Sequence, residues 1–372
     1  MFFERIEIHH FRGIESLTID NIKQVNVLTG RNNCGKTSVL EAIFLLVGMS
    51  NPHLALNVHG FRGLTLTDDK DFSYLFNGFD FSKDLSITGR WESQERTLEI
   101  KPIYPTSTGI QEHLSKSGEA SEETFLSSST STMMEEALEG LAFDFSMDKN
   151  GPFHAEIKLK QGNLNIPGIK LEQANVQFSP HYREKLSASF INPRTIMNSL
   201  HQRLEAILVR KDSEGIISAL KEIEPNLNDI RLGAGGTIYA DVIGIDKLVP
   251  IHLMGDGIIK IIAILAAISE GKNGILFIDE IENGLHYSSL MPLWKAILKM
   301  ALESHVQLFI ATHSDECIHA MVRTYQTYHE SGIGEDFVSL FRIDRNRDGQ
   351  HRAIQYDSDI LLAGLGEDFE VR

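Results

Sequence analysis

Cysteine is scarce: Cys34 and Cys317 are the only two in 372 residues. Two cysteines cannot build a disulfide framework, and they suit a reducing compartment. Long apolar runs are missing as well. The longest, Ile258–Ile268, is interrupted by Lys260 and falls short of the roughly 18 residues that a membrane span needs. The opening MFFERIEIHHFRG carries Glu and His where a secretory signal would carry an apolar stretch. Positive charge is in deficit, with 35 Lys and Arg against 51 Asp and Glu and a net charge of −16. So acidic a surface argues against a protein that coats a polyanion, while leaving room for one local basic groove. No internal repeat is visible, which excludes solenoids and propellers. These absences describe a soluble, cytoplasmic protein with no membrane contact. The length and a 42% hydrophobic content allow two or three lobes of about 100–200 residues.

The patterning divides the chain into four stretches. In residues 1–84, Ile6, Ile8 and Phe11, then Leu17 and Ile19, alternate as in a hairpin. Val25–Leu28 reads as a buried central strand, and Val39, Leu40, Ile43, Leu46 and Val47 mark one face of a helix closing at Gly48. In residues 85–192 the period changes to two: Leu85, Ile87 and Trp91 face Leu98 and Ile100. Phe143, Phe145 and Met147 face Phe153, Ala155 and Ile157 around a turn at Asn150-Gly151. Between these hairpins, residues 106–131 are rich in Ser, Thr and Glu and are expected to form a flexible loop. Residues 193–247 predict helices over Thr195–Arg210 and Glu214–Ile223, then two strands flanking Gly233-Ala234-Gly235-Gly236. In residues 248–372 helices and strands alternate, which argues for a parallel sheet with crossover helices. A closing hairpin turns at Arg347-Asp348-Gly349. The fold class is therefore α/β, with a mixed central sheet and a middle insertion that is β-rich and then helical.

The strongest motif is Gly30-Arg31-Asn32-Asn33-Cys34-Gly35-Lys36-Thr37, a complete G-x-x-x-x-G-K-T between a strand and a helix. Glycines let backbone N–H groups turn toward a phosphate, and the following helix adds its positive dipole end. Lys36 would reach the β- and γ-phosphate oxygens of ATP, and the Thr37 hydroxyl would ligate Mg²⁺. Asn32, Asn33, Cys34 and Ser38 complete the loop and the start of the helix. Cys34 lies where a helix N-terminus favours a thiolate, but it is read first as a small residue tolerated at a variable loop position.

Gly274–Glu280 reads as a buried strand ending in two carboxylates. Strand tips are where ligands bind in α/β sheets, so Asp279 would hold Mg²⁺ and Glu280 would polarise an attacking water. The parallel run Gln307–Ser314 ends at His313, which would donate to the γ-phosphate or the water.

In this order the pieces resemble the ABC-type ATPase heads of the SMC, RecF and OLD (overcoming lysogenization defect) group, over residues 1–48 and about 248–372. The wording Asp279-Glu-Ile-Glu-Asn-Gly-Leu-His286 followed by Tyr287-Ser288 is closest to stand-alone, OLD-related ATPases of anti-phage defence. Phe11-Arg12-Gly13 matches their FRG element, which implies Arg12 near the nucleotide. Leu253–Lys260 stands at the signature, with Met254 and Asp256 replacing the usual serine and glycine, while Gly255 and Gly257 still offer backbone. The resemblance implies a P-loop ATPase head that forms a head-to-tail homodimer around two ATP molecules, with Ile281–His286 as the D-loop. It also implies a separately encoded effector such as a nuclease, in anti-phage defence or DNA repair, and leaves open assembly beyond the dimer and direct binding to DNA. The chain after His313 is too short for a Toprim nuclease domain, so nuclease activity is not expected here. The altered signature and FRG element speak against a transporter subunit; a non-hydrolysing ATP-bound scaffold stays open. No glutamine is assigned to the Q-loop, since Gln94, Gln111 and Gln173 lack its setting, and a heptad over Arg203–Ile223 fails at Gly215.

Weaker patterns have simpler explanations. Asp344–Gly349 begins like a calcium loop but reaches Gln355 where a glutamate is needed, so a hairpin turn is expected. His9-His10 reads as strand surface. Arg183, Lys185, Arg194, Arg203, Arg210 and Lys211 form a basic group on the middle segment, read first as solvated helix charge.

Overall fold

The computed structural model describes residues 2–66, 69–104, 138–159, 174–196, 200–332, 336–357 and 360–361. The expected 106–131 loop, with Gln111, and also Gln173 lie outside the described residues.

Strands β1 (Arg5–Phe11) and β2 (Ile14–Ile19) are joined through Arg12 and Gly13, and Ile6, Ile8 and Phe11 are buried. Then come β3 (Val25–Thr29), α1 (Lys36–Val47) and α2 (His53–Phe61), the last not legible as a helix in the sequence. Strands β4 (Leu85–Trp91), β5 (Gln94–Ile103), β6 (Gly140–Met147), β7 (Asn150–Leu159) and β8 (Ala174–Gln177) follow. β4 pairs with β1, so these strands extend the N-terminal hairpin into one antiparallel seven-stranded sheet, ordered β2-β1-β4-β5-β6-β7-β8. The registers Leu85↔Ile100 and Ile87↔Leu98 follow the sequence pattern. The β6–β7 reversal differs from it. Met147 pairs with Asn150, so the turn falls at Asp148-Lys149, and Gly151 (φ +124°) occupies a register shift instead. A bulge beside the turn needs one residue of permissive backbone, and Gly supplies it.

The second sheet collects strands from both halves of the chain. β9 (Ala188–Ile191) precedes α3 (Leu200–Arg210), α4 (Glu214–Ile223) and a small sheet of β10 (Leu227–Leu232), β11 (Ile238–Val242) and β12 (Val249–Pro250). Next are α5 (Asp256–Glu270), β13 (Ile275–Ile278), α6 (Leu290–Ser304), β14 (Gln307–Ala311) and α7 (Asp315–Glu330). The hairpin of β15 (Val338–Arg345) and β16 (His351–Tyr356) closes the described chain. The order is β16-β15-β3-β14-β13-β9, parallel except between β15 and β16.

Every residue of β3, β13 and β14 is buried, because this sheet is covered on both faces. Its two faces belong to different cores. Leu276, Ile278, Leu308 and Ile310 pack with α3–α7. Phe277 and Phe309 pack with α1 and the antiparallel sheet. Phe190, Phe277 and Phe309 stack across three neighbouring strands, with centroids 5.9 and 5.5 Å apart, and Phe44 of α1 meets Phe277 edge-on at 5.8 Å. Helix α1 is thus wedged between the sheets, and the loop that starts it is fixed at the carboxyl ends of β3, β14 and β13. No described helix is long and apolar enough to cross a membrane.

Candidate nucleotide site

The loop from Gly30 to Lys36 is shaped by its backbone. Gly30 has φ +130°, and a Cβ there would stand 2.3 Å from the Ile343 carbonyl oxygen. Gly35, with φ +98°, caps α1, and no side chain of its own answers the helix's first N–H groups. The Lys36 ammonium donates to the carbonyls of Gly30 (2.6 Å) and Arg31 (3.0 Å), with the buried Cys34 Sγ 3.7 Å away. Burial lowers its pKa, opposed by Cys34, Asp279 and Glu282. Asn32 and Asn33 are exposed on the rim, Asn33 with φ +62°. Ser38 is buried and accepts from Arg62 Nη2 at 3.0 Å.

Arg12, from the β1–β2 turn, reaches the same helix. Its Nε is 2.7 Å from Glu41 Oε2, and its Nη2 donates to the Val58 carbonyl at 3.0 Å. Arg62 donates to both oxygens of Glu41 at 2.9 Å. Glu41 is fully buried, so two guanidiniums share one carboxylate beneath the loop. Burial pulls Arg12 down to about 10 despite Glu41. For Arg62 burial acts the same way, but its hydrogen bonds to Glu41 and the charge of Glu41 prevail and raise it. Both arginines line a cavity of about 790 Å³ that opens beside Asn33, Gly35 and Ser38, with Tyr74, Phe79 and His351 on its other walls.

Asp279 and Glu280 follow β13. Asp279 is 7% exposed and accepts from the Thr37 hydroxyl, yet its Oδ1 is buried without a partner. Burial pushes its pKa up to about 6, countered by Thr37. Glu280 is half-buried with φ +51°, and its Oε2 accepts from Asn283 Nδ2 at 3.1 Å. His313 follows β14. Its backbone N–H donates to Glu282 Oε1 at 2.8 Å, and Thr312 Oγ1 donates to Glu282 Oε2 at 2.7 Å. Burial and then Lys36 lower the pKa of the exposed His313 ring, which keeps it neutral at neutral pH.

The chain thus gathers Arg12, Gly30–Ser38, Asp279, Glu280 and His313 at one end of the six-stranded sheet. It does not do so for the signature. Gly255 (φ +95°) caps α5 with nothing within 4 Å of a Cβ, and Leu253 beside it is 76% exposed. Gly257 packs inward, where a Cβ would meet the Gly284 carbonyl oxygen at 3.2 Å. Among the other patterns, Gln94 accepts from Trp91 Nε1 at 2.8 Å, and Asp344–Gly349 is the β15–β16 turn, closed by Asn346 and Gln350. Arg203 pairs with Glu270 at 3.4 Å, and Arg194 lies over Gly63.

Sequence reading missed Glu41, Arg62, Lys260 and Glu282. Glu41 is the lone carboxylate in KTSVLEAIFLLV, and Lys260 is the lone charge in Ile258–Ile268. A single charge in an otherwise apolar helix must be paired when buried, and that signal was present.

Comparison with known proteins agrees with this geometry. Residues 1–150 match the family model described as "AAA ATPase domain", and residues 154–318 match "AAA domain, putative AbiEii toxin, Type IV TA system". The chain is similar to an ATP/GTP phosphatase of Helicobacter pylori, 26% identical over 85% of this chain and 86% of that protein. It is also similar to the DNA replication and repair protein RecF of Teredinibacter turnerae, 37% identical over 30% of this chain and 28% of that protein. A solved SMC head, bound to the C-winged helix domain of ScpA, has the same fold, with a TM-score of 0.50 at 12% identity over 96% of this chain and 98% of that one. With two ATPase-domain models lying end to end along it, this chain is an ATPase that hydrolyses ATP, similar to RecF over part of its sequence and to an SMC head in fold.

Proposed function

We propose that this ATPase is a switch: two copies close around two ATP molecules, and hydrolysis releases them. The observation that carries the reading is Asp279, a buried carboxylate with an orphaned oxygen, bonded to Thr37 at the phosphate loop and followed directly by Glu280. A buried oxygen left without a donor calls for a ligand. Thr37 and Asp279 would hold Mg²⁺, which when bound would screen the charge of the β- and γ-phosphates. The loop amides and Lys36 then grip the phosphates, and the nucleoside lies in the cavity walled by Arg12, Tyr74 and Phe79. For Lys36 this means exchanging the Gly30 and Arg31 carbonyls for phosphate oxygens.

Glu280 takes the proton of a water that attacks the γ-phosphorus. The bond to the β–γ bridging oxygen breaks, and ADP and phosphate leave. His313, neutral at neutral pH, donates to the γ-phosphate. The open Gly255 helix start supplies the partner's phosphate contact, which explains an uncovered glycine cap beside an exposed Leu253. The output is a separately encoded effector such as a nuclease, in anti-phage defence or DNA repair, as in the OLD-related ATPases that the wording of residues 279–288 resembles. Direct action on DNA is the second reading, favoured by the likeness to RecF.

Glu280→Gln tests the switch. Turnover is expected to fall by roughly 10²- to 10⁴-fold, and light scattering with ATP and Mg²⁺ should show a trapped dimer. A monomer at saturating ATP counts against it. Mass spectrometry of what co-purifies with that variant separates an effector from nucleic acid.

A further inference from the structure

One buried cation serves neither the phosphates nor a carboxylate partner. Lys260 lies on α5, five residues after Gly255, and is 7% exposed. Its ammonium donates to two backbone carbonyls, Glu280 at 2.6 Å and Asn283 at 2.9 Å. Those carbonyls bound the turn that carries the general base. The same turn is closed by Asn283 N–H donating to the Glu280 carbonyl at 3.0 Å, and by the Asn283 side chain on Glu280 Oε2. Glu280 itself holds φ +51°, a conformation that costs a non-glycine residue free energy and persists only when its surroundings impose it. Gly257, one turn earlier on α5, packs on Gly284 at the far end of the same turn. Helix α5 therefore touches the 280–284 segment at two points, once through van der Waals contact and once through an ion.

We infer that Lys260 is a positioning residue for hydrolysis: its ammonium, anchored on the signature helix, holds Glu280 in the left-handed conformation that aims the carboxylate at the attacking water. The arrangement gives the signature helix a rigid link to the base. A shift of α5 when Gly255 meets a partner's phosphate would be carried to Glu280 through the two carbonyls. Burial costs the cation, lowering its pKa to about 8 against the pull of Glu282 and Glu280; a lysine kept there at that cost is performing a task that a methionine would not.

The inference rests on Glu280 acting as the base, and the test separates the two. In steady-state kinetics, Lys260→Met should lower kcat by roughly 100-fold, the cost of a base displaced by about an ångström. Nucleotide affinity and KM should stay within about threefold, because nothing that touches ATP has changed. Lys260→Arg, which keeps the charge and donors, should restore most of the rate. In a Glu280→Gln background, Lys260→Met should add no further loss, since the group it positions is gone. Lys260→Met with near-normal kcat overturns the inference. So does an equal loss in both backgrounds, or a parallel loss of nucleotide affinity that Lys260→Arg does not repair, which would mark a residue needed only for folding. Glu280→Gln with undiminished turnover would instead overturn the reading of Glu280 itself.

Discussion

Two groups of buried charge flank the phosphate loop, and they are built on opposite principles. Beneath α1, Glu41 meets Arg12 and Arg62 at 2.7–2.9 Å, so its charge is answered from two sides. At the tip of β13, Asp279 has one hydroxyl donor and an orphaned oxygen, and burial raises its pKa to about 6. The first cluster is a joint: it ties the β1–β2 turn and the end of α2 to the helix that grips phosphate. The second is an unfinished site. A protein satisfies the charges it needs for its own fold and leaves unsatisfied those that a ligand will complete.

The largest effect on stability should come from breaking the joint. Glu41→Gln leaves the largely buried Arg12 guanidinium without its carboxylate, and removing one partner of a buried pair costs about 3–5 kcal/mol. Urea denaturation should show that loss at neutral pH with an unchanged m-value. A loss under about 1 kcal/mol would mean that water already screens the cluster, and the contrast with Asp279 would lose its meaning.

Asp279→Asn should act with the opposite sign. The carboxyl is raised above its unfolded value of 3.8 to about 6. Its favourable contribution is therefore present below about pH 4 and lost as pH rises through about 6, leaving the free protein about 3 kcal/mol less stable at pH 8 than a neutral group would. The asparagine variant without nucleotide should melt higher than wild type at pH 8, match it near pH 4, and gain nothing from Mg²⁺ with ATP. A variant less stable than wild type at pH 8 would place Asp279 with Glu41 among the structural charges.

How much of this was legible depends on range. The phosphate loop, the carboxylate pair and His313 each end an apolar strand, so local pattern located them, and strand order in a parallel sheet brought their tips together. The α/β class followed from the same alternation. What sequence could not give was which distant segment would answer a buried charge. Nothing near Glu41 announces Arg62, which returns from the end of α2, and nothing near Glu282 announces the Thr312 hydroxyl it accepts. Ala188–Ile191 escaped for a related reason: four residues next to a β-rich stretch carry no mark that they will pair with β13, far along the chain, rather than with their neighbours. Even the β6–β7 turn moved by two residues, because Gly151 was needed at a bulge and Asp148 could supply the left-handed corner.

The smallest change in stability, and the sharpest test of the comparison, belongs to Lys36. It lies between the two clusters and resembles neither, a buried ammonium bonded to the carbonyls of Gly30 and Arg31 and, more loosely, to Cys34 Sγ. Lys36→Met trades two charge-assisted hydrogen bonds for relief of the burial that lowers the lysine's pKa. These terms are of similar size, so the free protein should change by about 1 kcal/mol or less. Its response to nucleotide should vanish. Wild type saturated at about 100 times its dissociation constant gains roughly 2.7 kcal/mol from binding, and the variant should show no such rise in melting temperature. Thermal melts with and without ATP and Mg²⁺ read both quantities in one experiment. A large loss in the free protein would make Lys36 a joint like Glu41. A preserved rise with ATP would move phosphate recognition off this lysine and onto the loop amides and the two arginines beneath them.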